Sequence, residues 1–238
     1  GMFSCFVQMI QCVGGELLRS DGDRMVPAFN NEYGQRALEQ LKELYVSEWV
    51  DPSAVNSLAP DIRKAFAAGK VAMVCEGIGS VESFMRAEFP DMLDKVGLCV
   101  FPGDLGTEGA LPGAVRSASF PGSMGLAVHK ATPNLDTAVD FIQFMLSPEM
   151  QRFSMKDYGF VTVRKSMVND AALVEEYPFI PAAFEQAKYP HQRWADEYYN
   201  AMQEALTPII QSYVIGILSV DKALQQMETE VIKIRSEK

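Results

Sequence analysis

The stretch SFPGSMGLAVHK, residues 119–130, continues into ATPNLDTAVDFIQFMLSPEMQR, residues 131–152, and this order of features indicates the fold. A glycine-bearing loop leads into the short apolar segment Met124–Val128, which predicts a strand. Apolar residues three or four positions apart then predict a helix with one buried stripe, made of Ala138, Phe141, Ile142, Met145 and Leu146. Ser147-Pro148-Glu149 predicts the start of a second helix, because a capping hydroxyl, a proline and an acid all suit a helix N-terminus.

The residues before this stretch show helical and hairpin patterns. Met2–Val13 is predicted to be a helix, which ends at a pair of glycines. An Asp21-Gly22 turn predicts a small hairpin across residues 16–29. Asn30 or Asn31 then caps the next predicted helix.

Two further apolar segments, Val71–Cys75 and Val96–Phe101, predict short strands that bury Cys75 and Cys99. The turn over residues 76–80 leads into a helix that Ser80 is predicted to cap. Glycines and charged residues between positions 102 and 120 predict a mobile loop.

The C-terminal part of the chain is predicted to be mostly helical from Asp170 onward. Pro208 is expected to end or kink the helix that begins near Arg193, because proline lacks the N–H that a helix interior requires. A final helix is predicted from Ser219 to about Arg235.

The composition excludes several classes of protein. The net charge of −10, without a cluster of Lys and Arg, disfavours nucleic-acid binding, which requires a basic surface. No apolar run approaches the roughly 20 residues of a membrane span, and Met2–Val13 lacks the basic start and cleavage site of a signal peptide. The chain carries no P-loop, HExxH or G-x-S-x-G motif, and its four cysteines and two histidines have no metal-binding spacing. We therefore predict no catalytic residue, no metal and no cofactor.

Four segments, taken in order, resemble family 1 extracellular solute-binding proteins of ABC importers, the family that includes maltose-binding protein. These segments are Gly14–Leu18 with the following Asp21-Gly22 and Phe29-Asn30-Asn31, then Ala65–Met73, then residues 119–152, and finally Ser219–Leu224. The resemblance spans nearly the whole chain.

The resemblance implies an α/β fold, namely the C-terminal lobe of a type II periplasmic-binding-protein-like fold, helix-rich with a small mixed sheet. Residues 1–103 and 160–238 match that lobe, and residues 118–158 match a strand-helix crossing segment that normally packs on the N-terminal lobe. Family members usually carry a further N-terminal segment, so we expect most of that lobe to be missing here. The stripe from Phe141 to Leu146 would then lack its neighbours. Because exposed apolar stripes are unfavourable in water, a homodimer through this segment is expected.

The resemblance also implies a function. Family members capture a small-molecule solute, here a sugar or oligosaccharide, between two lobes and deliver it to a membrane permease. They are periplasmic or extracellular, and membrane-anchored in Gram-positive-like cells. Two alternatives stay open: a truncated, non-binding module that self-associates, and a glycoside-processing enzyme, whose paired acids the sequence does not exclude.

The first two places at which the resemblance implies ligand contacts are loops. Gly77, Ile78 and Gly79 match a cleft loop that carries tryptophans in maltose-binding protein, although no aromatic residue stands there in this chain. Gly122 and Ser123 match the loop before the crossing strand, where backbone groups and a small side chain reach the ligand.

The third place is the start of a helix that bears a ligand-stacking aromatic residue in the family, and it holds Arg193, Trp194 and Tyr198. Each place has a purely structural alternative. Trp194 and Tyr198, four positions apart, also suit a packed helix face, and Gly77 and Gly79 also suit a tight turn.

Overall fold

The computed structural model describes residues 1–119, 125–168, 170–177, 179–189 and 196–236. Within these residues, the helices are α1 (Met2–Cys12), α2 (Glu32–Val46), α3 (Ala59–Ala67), α4 (Ile78–Glu88), α5 (Leu135–Met145), α6 (Pro148–Tyr158), α7 (Lys165–Val168), α8 (Ala171–Glu176), α9 (Ile180–Gln186), α10 (Tyr199–Val214) and α11 (Val220–Ser236). The strands are β1 (Leu18–Asp21) and β2 (Arg24–Pro27), and short 3-10 helices cover Pro52–Val55 and Pro90–Lys95. The protein is therefore helix-rich with a small sheet.

The chain forms two compact units. Unit 1 consists of Gly1–Ile62, Phe101–Pro121 and Tyr189–Lys238, and unit 2 consists of Arg63–Val100 and Gly122–Lys188. These boundaries differ from those of the predicted lobe (residues 1–103 and 160–238) and crossing segment (residues 118–158). The correspondence of those segments to the lobes of the family stays a prediction.

The core of unit 1 lies among four helices, α1, α2, α10 and α11, which pack against one another. Phe6 meets Phe29 edge-on, with ring centroids 6.0 Å apart, and Phe3 meets Tyr199 in the same way at 5.5 Å. Such edge-to-face pairs stabilise a core beyond the burial of their area. The predictions of α1, α2 and α11 are confirmed, and Asn31 caps α2 by accepting hydrogen bonds from the N–H groups of its second and third residues.

The predicted hairpin is also confirmed, with β1 and β2 antiparallel and Asp21 opposite Arg24. Gly22 in the turn has a φ of +62°, a value that glycine adopts at no steric cost. The hairpin packs against α11 through β2. Pro208 does not end its helix, because α10 continues to Val214 and begins at Tyr199 instead of near Arg193.

Unit 2 contains α4 to α9 and two smaller apolar clusters. The larger cluster comprises Met155, Met167, Leu173, Tyr177, Phe179 and Ile180. The predicted start of α6 is confirmed, since Ser147 Oγ accepts a hydrogen bond from the N–H of Met150 at 3.3 Å and a proline follows in the first turn. Helix α5 is confirmed as a helix, but none of its residues is buried, so the prediction of a buried stripe is wrong.

Three predicted strands are wrong. Residues 71–75, 96–101 and 125–128 contain no strand, and the described neighbourhood offers them no strand partner. Met73 is 85% exposed, and Cys75 and Cys99 are exposed as well, whereas Cys12 is buried. A strand needs a neighbour for its N–H and C=O groups, so an apolar run without one stays irregular.

Residues 101–119, predicted to be a mobile loop, are irregular but bound to the helices of unit 1. Arg36 of α2 holds the buried Asp104 through two hydrogen bonds, from Nε at 3.1 Å and from Nη2 at 3.0 Å. Gln40 donates a third hydrogen bond to this carboxylate at 2.7 Å, and Thr107 Oγ1 donates a fourth. We name Arg36, Gln40, Asp104 and Thr107 the Asp104 clamp.

The clamp determines the charge state of Asp104. Burial alone would raise the pKa of this carboxyl group, but the hydrogen bonds from Arg36, Thr107 and Gln40 and the charge of Arg36 outweigh burial. The pKa of Asp104 therefore lies below its ordinary value. The carboxylate is ionised at neutral pH and fixes the loop to α2.

Candidate functional site

The loop predicted to reach the ligand, residues 76–79, forms the start of α4 in unit 2. Gly77 is the N-cap residue, and its N–H donates a hydrogen bond to Glu76 Oε1 at 2.9 Å. Ile78 and Gly79 are the first two helical residues. The helix begins before Ser80, so the prediction that Ser80 caps it is wrong. The extended backbone of Gly77 starts the helix without a side-chain cap.

Gly79 lies against the end of α6. A Cβ atom on Gly79 would stand 2.2 Å from the carbonyl oxygen of Gly159, which no real contact allows. Gly159 has a φ of +65° and ends α6. Packing alone thus accounts for the glycine at position 79, and its contact with a ligand stays a prediction.

An ion pair also holds the same loop. Glu76 Oε2 lies 3.3 Å from Arg63 Nη2 of α3, and both side chains are largely buried. Together with the contact between Gly79 and Gly159, this pair fixes the backbone of residues 76–79. A fixed backbone loses little conformational entropy when it binds a ligand.

Four predicted ligand residues, Gly122, Ser123, Arg193 and Trp194, lie outside the described residues. Their ligand contacts stay predictions.

Tyr198, the remaining predicted residue, is the half-buried N-cap of α10 in unit 1. The guanidinium of Arg235, in the last turn of α11, lies 5.1 Å from the centroid of its ring. Asp196 connects the two residues, because one carboxylate oxygen accepts the N–H of Tyr198 at 2.8 Å and the other contacts Arg235 Nη1 at 2.5 Å. This arrangement holds the phenol ring in place.

Helix electrostatics favour this Asp196–Arg235 pair. Asp196 precedes the positive N-terminal end of α10, and Arg235 occupies the negative C-terminal end of α11. Their side chains are only 6% and 18% exposed, so solvent screens the pair weakly. Sequence reasoning missed both residues. The sequence shows Asp196 before one helix and Arg235 at the end of another. It does not show that the two side chains, 39 positions apart, contact each other in the folded chain.

A half-open surface depression lies beside Tyr198 in unit 1. It is lined by the hairpin residues Asp23, Arg24, Met25, Val26 and Pro27, and by Tyr198, Ile232, Arg235 and Ser236. The sequence offered no signal for this depression, because hairpin, helix start and final helix are far apart along the chain.

In the described part of the chain, no group of three or more His, Cys, Asp or Glu side chains is arranged to hold a metal ion. None of the described helices is long and apolar enough to cross a membrane.

The chain belongs to the family of bacterial extracellular solute-binding proteins, because residues 3–182, well over half of the chain, match the model of that family. This result confirms the resemblance found in the sequence. Members of the family are solute-binding proteins, and the family is named as extracellular.

Solved structures of solute-binding proteins share the fold. One is an ABC transporter solute-binding protein of Thermotoga lettingae TMO bound with α-D-tagatose, at 22% identity and a TM-score of 0.77, with 97% of this chain and 55% of that chain covered. Maltose-bound MalE3 of T. maritima is 18% identical, with a TM-score of 0.78 and coverages of 97% and 57%. A solute-binding protein of Agrobacterium radiobacter K84 in complex with ribitol is 22% identical, with a TM-score of 0.75 and coverages of 98% and 56%.

These likenesses confirm the predicted fold class, which is helix-rich, contains a small sheet and is periplasmic-binding-protein-like of type II. The chain spans little more than half the length of these structures.

Proposed function

We propose that this chain binds a sugar or a polyol as part of the solute-binding component of an ABC importer. The observation that carries this proposal is the family match over residues 3–182. It is supported by the likeness of nearly the whole chain to structures that hold tagatose, maltose and ribitol. Because those structures are only 18–22% identical to this chain, they show its fold, and the solute class is our proposal.

The proposed mechanism is capture of the solute between two lobes, outside the cytoplasmic membrane. The protein then delivers the solute to a membrane permease. In this scheme residues 1–103 and 160–238 belong to the C-terminal lobe, and residues 118–158 are the crossing segment that packs on the N-terminal lobe. We propose two separate solute contacts: backbone groups of the loop at Gly77, Ile78 and Gly79 in unit 2 for solute hydroxyls, and the ring of Tyr198 in unit 1 for the C–H face of a sugar. We further propose a periplasmic or membrane-anchored extracellular location.

A thermal-shift titration of the full chain with tagatose, maltose and ribitol tests the proposal. A ligand that binds only the native state stabilises it by about 2.7 kcal/mol at a concentration of 100 Kd, which for a chain of this size raises the Tm by roughly 5–10 °C. Tyr198→Ala should abolish the shift. Tyr45→Ala is the matched control, because both tyrosines are half-buried against the same core. The proposal fails if none of the three sugars shifts the Tm at millimolar concentration.

A second candidate function is self-association without solute binding, and the exposure of α5 favours it. Phe141 is 55% exposed, Phe144 is 52% exposed and Leu146 is 42% exposed. Burying each such side chain is worth roughly 1.5–3 kcal/mol. The occupant we propose is a second copy of the chain, packed through the segment from Phe141 to Leu146.

Sedimentation velocity tests the self-association, and a dimer that shows no thermal shift with any of the three solutes would favour this second candidate over the first. Self-association predicts a dimer in the wild-type protein and a monomer in Phe141→Ser/Phe144→Ser. The matched control is Thr137→Ser, an exposed polar position of the same helix. A wild-type monomer at 100 times the concentration used in binding assays would exclude the dimer.

A further inference from the structure

We propose that Tyr158, stacked on Phe160 at the end of α6, is an aromatic platform for the ring of a sugar whose hydroxyl groups bind the loop of residues 76–79. This inference rests on the proposed function and deepens it, because it adds a residue that the sequence resemblance did not indicate. All the residues that carry it belong to unit 2.

Three aromatic side chains, Phe153, Tyr158 and Phe160, form a group that we name the α6 aromatic cluster. The rings of Tyr158 and Phe160 are stacked, with centroids 5.8 Å apart and an interplanar angle of 22°. Phe153 meets the ring of Tyr158 edge-on, with centroids 6.1 Å apart. Because two neighbouring rings hold Tyr158, its side chain has little freedom to lose when a ligand binds.

The α6 aromatic cluster is held in place but is not buried. Tyr158 is 55% exposed, Phe153 is 45% exposed and Phe160 is 42% exposed. By contrast, the edge-to-face pair of Tyr177 and Phe179 in the same unit is buried. A group of aromatic side chains that stays open to solvent marks a surface for binding.

Gly159, between Tyr158 and Phe160, connects the cluster to the loop. Its carbonyl oxygen lies so close to Gly79 that a Cβ atom there would stand 2.2 Å away, so the two backbones are in contact. Consecutive Cα atoms are about 3.8 Å apart, and Tyr158 is one residue from this contact. A sugar that binds the backbone of residues 76–79 is therefore within reach of the Tyr158 side chain.

The loop and the cluster complement each other chemically. Residues 76–79 are Glu-Gly-Ile-Gly and contain no aromatic side chain. Glu76 is paired with Arg63, so its charge is compensated and an uncharged solute suits the loop better than an ion. An aromatic ring contacts the C–H face of a sugar, and the phenol hydroxyl of Tyr158 can donate and accept a hydrogen bond. The cluster thus provides the apolar contact that the loop lacks.

The exposed area of the cluster suits a sugar better than a protein partner. An aromatic side chain can bury roughly 150–250 Å², and about half of each of the three is exposed here, so the cluster presents on the order of 300 Å². A standard protein interface buries roughly 800 Å² on each partner. The cluster by itself is too small for such an interface, whereas it is large enough to cover one face of a sugar ring.

Calorimetric titration of the full chain with tagatose, maltose and ribitol tests the platform. Tyr158→Ala should weaken binding of the two cyclic sugars, tagatose and maltose, at least tenfold, whereas Tyr158→Phe keeps the ring and should weaken it less than threefold. Ribitol is acyclic and offers no ring face, so Tyr158→Ala should change its Kd less than threefold. The matched control is Trp49→Ala, which removes an exposed aromatic side chain of unit 1 and should leave every Kd within twofold of the wild-type value. The Tm of each variant without sugar shows that the variant is folded.

Hydroxyl-radical footprinting by mass spectrometry locates the sugar directly. With a saturating cyclic sugar, Tyr158 and Phe160 should lose oxidation relative to Trp49, an exposed residue of unit 1 that serves as an internal reference for radical scavenging by the sugar. Equal oxidation of Tyr158 with and without a sugar that binds would overturn the platform and leave the proposed function standing. Protection of Tyr158 that appears without sugar as the protein concentration rises would also overturn it, because a second copy would then cover the cluster. A wild-type chain that binds none of the three solutes would overturn both the platform and the proposed function.

Discussion

Replacing Arg36 by methionine should release the loop of residues 101–119 from α2. Methionine keeps much of the apolar length of the side chain but removes every donor of the guanidinium group. In the wild-type protein this group donates two hydrogen bonds to Asp104, one to Thr107 Oγ1 at 3.1 Å and one to the carbonyl oxygen of Glu108 at 2.9 Å. The substitution leaves the Asp104 carboxylate buried, with only 2% of the residue exposed.

The expected cost is about 3 kcal/mol. Breaking a buried ion pair by removing one partner costs roughly 3–5 kcal/mol, because an uncompensated charge remains. The lower end applies here, since Gln40 and Thr107 still donate to Asp104 and Arg36 is itself 25% exposed. The double variant Arg36→Met/Asp104→Asn should be about 1–2 kcal/mol more stable than Arg36→Met alone, because it no longer buries an unpaired charge.

Hydrogen exchange monitored by mass spectrometry measures the effect at the loop itself. The amides of Gly103, Leu105 and Val115 donate to backbone carbonyl oxygens at 2.8, 3.1 and 3.0 Å, so they report the opening of this segment. A loss of about 3 kcal/mol corresponds to an exchange rate about 100-fold higher at these amides. The amide of Val231 in α11, a buried residue elsewhere in the core, reports the loss of global stability separately from the opening of the loop.

Two results would refute this reasoning. One is exchange at Gly103, Leu105 and Val115 within threefold of the wild-type rate in Arg36→Met, which would mean that the clamp does not hold the loop. The other is a double variant Arg36→Met/Asp104→Asn whose effect equals the sum of the two single effects. Additivity would show that the residues do not interact energetically.

Three further predictions concern stability. Because folding lowers the pKa of Asp104, the clamp stabilises the folded state fully above the ordinary aspartate pKa of about 3.9. This stabilisation is lost as the pH falls through the lower folded-state pKa. Urea unfolding from pH 6 to pH 3 should show the loss in the wild-type protein, and Arg36→Met should not show it. Gly79→Ala should cost about 1–3 kcal/mol in urea unfolding because of the clash with Gly159, whereas Gly97→Ala, with open space around it, should cost less than about 0.5 kcal/mol. Asn31→Ala should cost about 1 kcal/mol, and Asn31→Asp should retain the cap, as thermal unfolding would reveal.

Helices and caps were predictable because their signals are local. The spacing of apolar residues indicated α1, α2, α5 and α11, and Ser147 and Asn31 marked helix starts that the structure confirms. The Asp-Gly turn likewise indicated the hairpin of β1 and β2. In each case, the groups that satisfy the backbone lie within a few positions of one another along the chain.

Strands 71–75, 96–101 and 125–128 were wrongly predicted because a strand depends on a neighbour that its own sequence does not supply. The prediction that α5 buries its apolar stripe was wrong for a related reason. An amphipathic pattern shows which face of a helix is apolar but not whether another element covers that face. Ser80 illustrates a smaller error: it suits a helix cap, but α4 begins two residues earlier, at Ile78, with Gly77 as its N-cap.

For the candidate site, the sequence alone determined the family, because motif order is a property of the chain itself. The ligand contacts at Gly77–Gly79 and Tyr198 stay predictions from that resemblance. Only the tertiary structure decided that Arg235 lies over Tyr198, that Arg24 borders the same surface depression as both, and that Arg36 holds Asp104. These pairings join residues separated by tens to hundreds of positions. The energies that select them arise from desolvation and charge in the folded core, which no local sequence pattern encodes.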